Sequence, residues 1–140
     1  MLRTVVPLLR PASTFLSTSH QTCRLLSAAG ASKVVELAND EDFSKAVSAT
    51  KDAGLAVVDF TAKWCGPCKM MAPIYDAMSR QYDGVTFYKA DIDQEPLTKS
   101  VEAHGVASVP TFAFFKGGKK VAAFSGADPN QLKRTLDDLS

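Results

Sequence analysis

Histidine and cysteine are scarce in this chain, with two of the former and three of the latter among 140 residues. The histidines are His20 and His104; the cysteines are Cys23, Cys65 and Cys68, and only the last two stand close together. A structural zinc ion takes four nitrogen or sulfur ligands in a tetrahedron, so one pair of cysteines with no second pair makes a poor zinc site. No run approaches the ~20 apolar residues of a membrane-spanning helix. Glycine-rich nucleotide fingerprints, internal repeats and low-complexity stretches beyond residue 32 are likewise missing. The lysines alternate with acids instead of forming a basic patch interleaved with aromatics, which argues against nucleic acid as a partner.

Acidic residues are missing from residues 1–32 altogether, whereas Arg3, Arg10 and Arg24 lie there. The remaining thirteen basic side chains face all fifteen acidic ones, so residues 33–140 carry a net charge of −2. Nine of the first 32 residues are Ser or Thr, and Leu2, Val6 and Leu9 fall on one stripe of a helix. That composition is the one expected of a mitochondrial or plastid transit peptide. A secretory signal needs an unbroken apolar stretch of about 7–15 residues, and Pro7, Arg10 and Pro11 interrupt any such run. Arg24-Leu25-Leu26-Ser27 resembles an arginine-directed processing site, which puts cleavage near Ser27. The mitochondrial matrix is the expected compartment, with a plastid as the alternative. Loss of this presequence would remove Cys23 and leave Cys65 and Cys68 alone in a reducing compartment, where a purely structural disulfide is out of place.

Residues 33–140 form the expected folded domain, with the element order βαβαβαββα. Val34–Leu37 is predicted as a short strand, followed by a helix capped at Asn39 or Asp40 and running to about Lys51. Leu55–Phe60 is a near-continuous apolar run of the kind found in a strand covered on both faces. A helix follows from about Cys65 to Tyr82, with Pro73 inside it as the expected cause of a kink. Further strands are expected at 85–90, 111–116 and 119–124, with a short helix over 97–103. Gly117-Gly118 suits a two-residue hairpin loop needing positive φ. Asp128 or Pro129 opens a last helix with Leu132, Leu136 and Leu139 on one stripe. The expected class is α/β, with a mixed sheet of parallel central strands and an antiparallel hairpin at one edge, flanked by helices.

Trp64-Cys65-Gly66-Pro67-Cys68 carries the chemistry. Two thiols separated by two residues can close a disulfide within one helical turn. A cysteine at a helix N-terminus has its thiolate stabilised by unpaired backbone N–H groups and the helix dipole. The spacing therefore reads as a reversible dithiol. Beside a βαβ pattern it resembles the thioredoxin family, and the likeness extends well past the motif. Val58-Asp59-Phe60 precede it, Lys69 and Pro73 follow it, and Lys89-Ala90-Asp91-Ile92-Asp93 lie on the third strand. Val109-Pro110-Thr111 then open the hairpin and Gly126-Ala127 lie beyond it.

The resemblance implies a thioredoxin fold and a role for each of these residues. Cys65 would be the nucleophile, its sulfur exposed at the helix start, and Cys68, less exposed, would resolve the mixed disulfide. The Gly66-Pro67 spacer goes with reducing members of the family. Asp59, the odd residue in an apolar strand, would have its pKa raised by burial and relay a proton, with Lys89 as its partner; capping or solvation at the strand end is the plainer alternative. Pro110 matches a cis-proline facing the cysteines. Trp64, Gly66, Val109, Pro110, Gly126 and Ala127 would bind substrate as a flat collar, with ordinary core as the plainer alternative for Trp64. His104 reads as a solvated or capping residue. Thr61 replaces a tryptophan that many bacterial members carry there.

The function so implied is protein-disulfide reduction in mitochondrial redox homeostasis, by a monomer that binds no cofactor. NADPH would supply electrons through a partner flavoprotein, thioredoxin reductase. The partners expected are disulfide-containing proteins, peroxiredoxins among them. Two rival readings are an isomerase or oxidase of the same fold, and a binding module in which the thiols are incidental.

Overall fold

Leu55–Thr61 forms strand β2, and all seven of its residues are buried, as the apolar run requires of a strand covered on both faces. The computed structural model describes residues 31–140 apart from Ala53, with Lys51 and Asp52 as backbone only. The presequence with its cleavage near Ser27, and Cys23 and His20 within it, lie outside the described residues.

Around β2 the chain builds β1 (Val34–Leu37), α1 (Asp40–Ser48), α2 (Gly66–Gln81), β3 (Val85–Asp91), α3 (Thr98–Ala103), β4 (Thr111–Lys116), β5 (Lys119–Ser125) and α4 (Pro129–Leu139). The sheet order is β1-β3-β2-β4-β5. β1, β3 and β2 run parallel, while β4 and β5 are antiparallel additions at one side. The expected α/β architecture with a mixed sheet is therefore the observed one.

Because successive side chains of a strand point to opposite faces, β2 divides two cores. Leu55 and Val57 pack with Met71, Tyr75, Phe112 and Leu132 beneath α2 and α4. Ala56, Val58 and Phe60 pack with Phe43, Ala46 and Leu97 beneath α1 and α3. Each such large side chain, fully buried, contributes about 1.5–3 kcal/mol relative to exposure. Asp59 shares the parity of Leu55 and Val57, so it faces α2. In register Asp59 lies opposite Lys89 of β3 and Phe112 of β4.

Local chemistry sets the element ends. Asn39 caps α1, its side chain accepting from the Asp42 N–H at 2.8 Å, and Asp128 accepts from the N–H groups of Asn130 and Gln131 to start α4. The first helix departs from its expected end at Lys51: α1 stops at Ser48 and tightens into a 3-10 turn over Ala49–Asp52. There the Thr50 hydroxyl accepts from the Gly118 N–H at 2.9 Å, tying the turn to the hairpin. α3 lies where a short helix is expected, preceded by a 3-10 turn at Glu95–Leu97. Gly117 and Gly118 adopt φ of 63° and 77°, the left-handed pair that a tight hairpin needs.

Pro73 lies within α2 on its exposed side, and it supplies no N–H to the Lys69 carbonyl one turn before it. The Tyr75 hydroxyl, buried, lies 3.0 Å from the Val57 carbonyl and 2.8 Å from that of Tyr88, donating its one proton between them. That contact pins α2 onto both β2 and β3. His104 ends α3 and is half-buried, its ring packed on Phe43 and Phe115. It sits on the sheet face away from Asp59 and serves as the expected cap.

Candidate functional site: a disulfide beside a buried carboxylate

The end of β2 and the start of α2 place two cysteines at one corner of the sheet. Cys65 is the N-cap of α2 and Cys68 lies in its first turn, with Pro67 between them. The two are joined as a disulfide, with Cα atoms 5.3 Å apart. Proline there is compatible with the helix start because its missing N–H would have no intrahelical partner. Cys65 Sγ accepts from the Cys68 N–H at 3.2 Å, and it lies 3.7 Å from the Val109 carbonyl oxygen. The first contact is the interaction that stabilises a thiolate when the bond is reduced.

Exposure differs from the sequence expectation at Cys65 and agrees with the collar reading at Trp64. Cys65 is as buried as Cys68, each 3 % exposed, because Ala62, Ile92 and Val109 pack around the pair. Trp64, by contrast, stands in solvent at 69 % exposure and takes no part in the core. Gly66 and Pro67 are exposed beside it. Across from the disulfide the Val109–Pro110 peptide bond is cis, with Val109 half-buried and Pro110 buried. Gly126, at φ 113°, donates its N–H to the Pro110 carbonyl at 2.8 Å, which brings exposed Gly126 and Ala127 alongside. Val109, Pro110, Gly126 and Ala127 thus lie on one side of the disulfide, while Trp64 and Gly66 flank Cys65 in the chain.

Behind the disulfide lies a cleft of about 250 Å³, lined by Asp59, Lys89, Cys68, Lys63, Lys69 and Asp91 among others. Asp59 is 3 % exposed, and its Oδ1 has no hydrogen-bond partner in the protein. A cleft of this size has room for water, which can serve that oxygen and reach Cys68. Burial pushes the Asp59 pKa up to about 7, against the pull of the Lys89 charge. Lys89 lies across the ladder from Asp59 and lines the same cleft, but the two make no direct ion pair among the described residues. The lysine acts on the carboxyl through space.

Several members of the site were not singled out from the chain. Ala62 and Lys63 join the cleft from the turn into α2, Ala72 from within that helix, and Glu36 reaches it from β1. Only the register of β1 on β3, which sets Glu36 opposite Lys89, could have revealed the last of these.

A disulfide at a helix N-terminus, next to a carboxyl that titrates near neutrality, is equipped to pass two electrons and their protons to and from other disulfides. That is the business of a thiol–disulfide oxidoreductase. The family model for thioredoxin matches residues 33–138, and the chain belongs to the thioredoxin family, whose members are disulfide oxidoreductases.

Among curated relatives, mitochondrial thioredoxin O1 of Arabidopsis thaliana is 38% identical over 124 residues, covering 88% of this chain and 64% of that relative's length. Among solved structures, thioredoxin NaTrxh of Nicotiana alata aligns with a TM-score of 0.73 at 37% identity, covering 77% of this chain and 93% of the other. A chain from a structure on thiol resolution in yeast mitochondrial 1-Cys peroxiredoxin by glutathione and thioredoxin systems aligns with a TM-score of 0.69 at 32% identity, covering 76% and 95%.

Proposed function

We propose that the protein is a protein-disulfide reductase of the mitochondrial matrix that cycles between a Cys65–Cys68 dithiol and the corresponding disulfide. The observation that carries this reading is the position of the two sulfurs: Cys65 at the N-cap with its sulfur served by a backbone N–H, and Cys68 on the cleft with Asp59. The Cys65 thiolate attacks one sulfur of a client disulfide, forming a mixed disulfide and expelling a client thiolate, which takes up a proton. Asp59, through water in the cleft, accepts the proton of Cys68. The Cys68 thiolate then attacks Cys65 Sγ, closing the Cys65–Cys68 bond and releasing the second client sulfur as a thiol. Two electrons pass from the protein to the client; of the two protons the client thiols take up, one is the Cys68 proton held by Asp59 and the other comes from solvent. Lys89 moderates the Asp59 pKa, and Trp64, Val109, Pro110, Gly126 and Ala127 receive the client around the disulfide.

NADPH, through a flavoprotein thioredoxin reductase, is the source that returns the two electrons. Peroxiredoxin-type peroxidases are the expected clients, supported by the compartment and by the peroxiredoxin structure among the neighbours. The midpoint potential tests the direction of the chemistry. Thiol trapping in graded redox buffers should give about −270 mV, the value characteristic of thioredoxin. One near about −180 mV, as for disulfide isomerase, would reassign the protein to disulfide exchange or formation. The compartment rests on the acid-free, arginine-bearing residues 1–32 and on the mitochondrial relative. Fused ahead of a fluorescent reporter, those residues should carry it to mitochondria; plastid fluorescence would establish the alternative.

A further inference from the structure

From Phe60 to Tyr75 the chain contains two lysines, Lys63 and Lys69, and no carboxylate. This stretch surrounds the disulfide, and its exposed part is apolar apart from those two charges. Trp64 is 69 % and Met70 67 % exposed, the highest values among the large hydrophobic side chains described. The other two, Val35 and Val121, lie on the edge strands β1 and β5. Met70 stands one turn after Gly66 on α2, so Trp64, Gly66, Pro67 and Met70 extend the apolar surface from the disulfide along the helix. Exposed apolar surface concentrated beside a reactive group marks a place where partners bind.

The charges on this surface are unspent. Lys33, Lys45 and Lys133 each pair with a carboxylate, whereas Lys63 and Lys69 make no hydrogen bond or ion pair among the described residues. Both line the mouth of the cleft. The carboxylates sharing that cleft do not neutralise them at the surface: Asp59 and Asp91 are buried, and Glu36 stands on β1, two strands away from β2.

We propose that Lys63 and Lys69 select clients whose disulfide is flanked by acidic residues, and that Met70 extends the apolar client contact beyond Trp64 along the helix. This rests on the reductase reading and names the substrate class of that site. Complementary charge acts mainly on the rate of productive encounter and is weakened by salt.

The test uses the reduced full chain and two disulfide-linked peptides, each with leucine beside the cysteine and flanked by glutamates in one, lysines in the other. Second-order rate constants are read by stopped-flow and normalised to reduction of each peptide by dithiothreitol. At low salt the glutamate peptide should react about fivefold faster, the order expected of two exposed charges. The preference should vanish near 1 M salt, where screening acts within about 3 Å. Lys63→Glu with Lys69→Glu should invert it, and Met70→Ser should slow both peptides alike without changing their ratio. Equal rates at low salt, or a preference that survives the charge reversal, overturns the selection; an unchanged rate in Met70→Ser removes that residue from the surface. Should neither peptide be reduced by the protein while dithiothreitol reduces both, the reductase reading falls with it.

Discussion

Replacing Cys65 with serine should abolish disulfide reduction, and replacing Cys68 with serine should stop it halfway. The geometry distinguishes two sulfurs that are equally buried. Cys65 is the N-cap, and its sulfur accepts the Cys68 N–H, so its thiolate is the one the helix stabilises. A serine there has no sulfur to enter a mixed disulfide, and turnover should drop by more than about 10⁴-fold, the order seen when a covalent nucleophile is lost. Cys68 sits on the Asp59 cleft, placed to lose its proton and attack second. Its serine variant should still take up one client per protein and hold it as a mixed disulfide, visible by mass and released by dithiothreitol. Adducts accumulating on Cys65→Ser instead would reverse the two roles. If both variants kept full cellular function, the thiols would be incidental and the binding-module reading would replace catalysis.

What the chain discloses about itself depends on how local the determinant is. β2 is legible because seven buried residues in a row leave an apolar run, and the hairpin because Gly117 and Gly118 need φ that other residues avoid. The helix caps are legible for the same reason: Asn39 and Asp128 serve N–H groups two or three residues away. The thiol pair declares itself by spacing alone. Determinants set by packing between distant segments are not written locally. Cys65 is buried because Ala62, Ile92 and Val109 converge on it from three parts of the chain, and no pattern around the motif shows that. Nothing in the sequence around Tyr75 shows that its hydroxyl bridges carbonyls of two strands. The cleft gathers residues from β1, β2, β3 and α2, so its lining awaited the sheet order. The site's partners therefore came through family likeness, and their distances only through the fold.

Asp59→Asn should make the protein more stable at pH 8 and slower at the same time. The carboxyl is buried, its Oδ1 lacks a protein partner, and its pKa stands at about 7 against the ordinary 3.8. Between those two values the folded protein keeps the proton that the unfolded chain has lost. The folded state binds more protons, so stability is full below about pH 4, falls as pH rises through the window, and levels off above about pH 7. Three pH units correspond to about 4 kcal/mol. Asparagine keeps the shape without the ionisation, so urea unfolding of the oxidised protein should show a gain approaching that size at pH 8. At pH 4 the gain should vanish; the same difference at both pH values would mean that ionisation of Asp59 is not its source. The carboxyl's retention then needs a role, and proton transfer from Cys68 supplies one. Resolution of the mixed disulfide should follow an inflection near pH 7 in the native protein, and Asp59→Asn should slow this step and erase the inflection. A buried acid of purely structural effect would change the unfolding curve and leave that pH profile intact. The two readouts together separate a carboxyl that destabilises the fold for nothing from one whose cost in stability sustains the second half of the exchange.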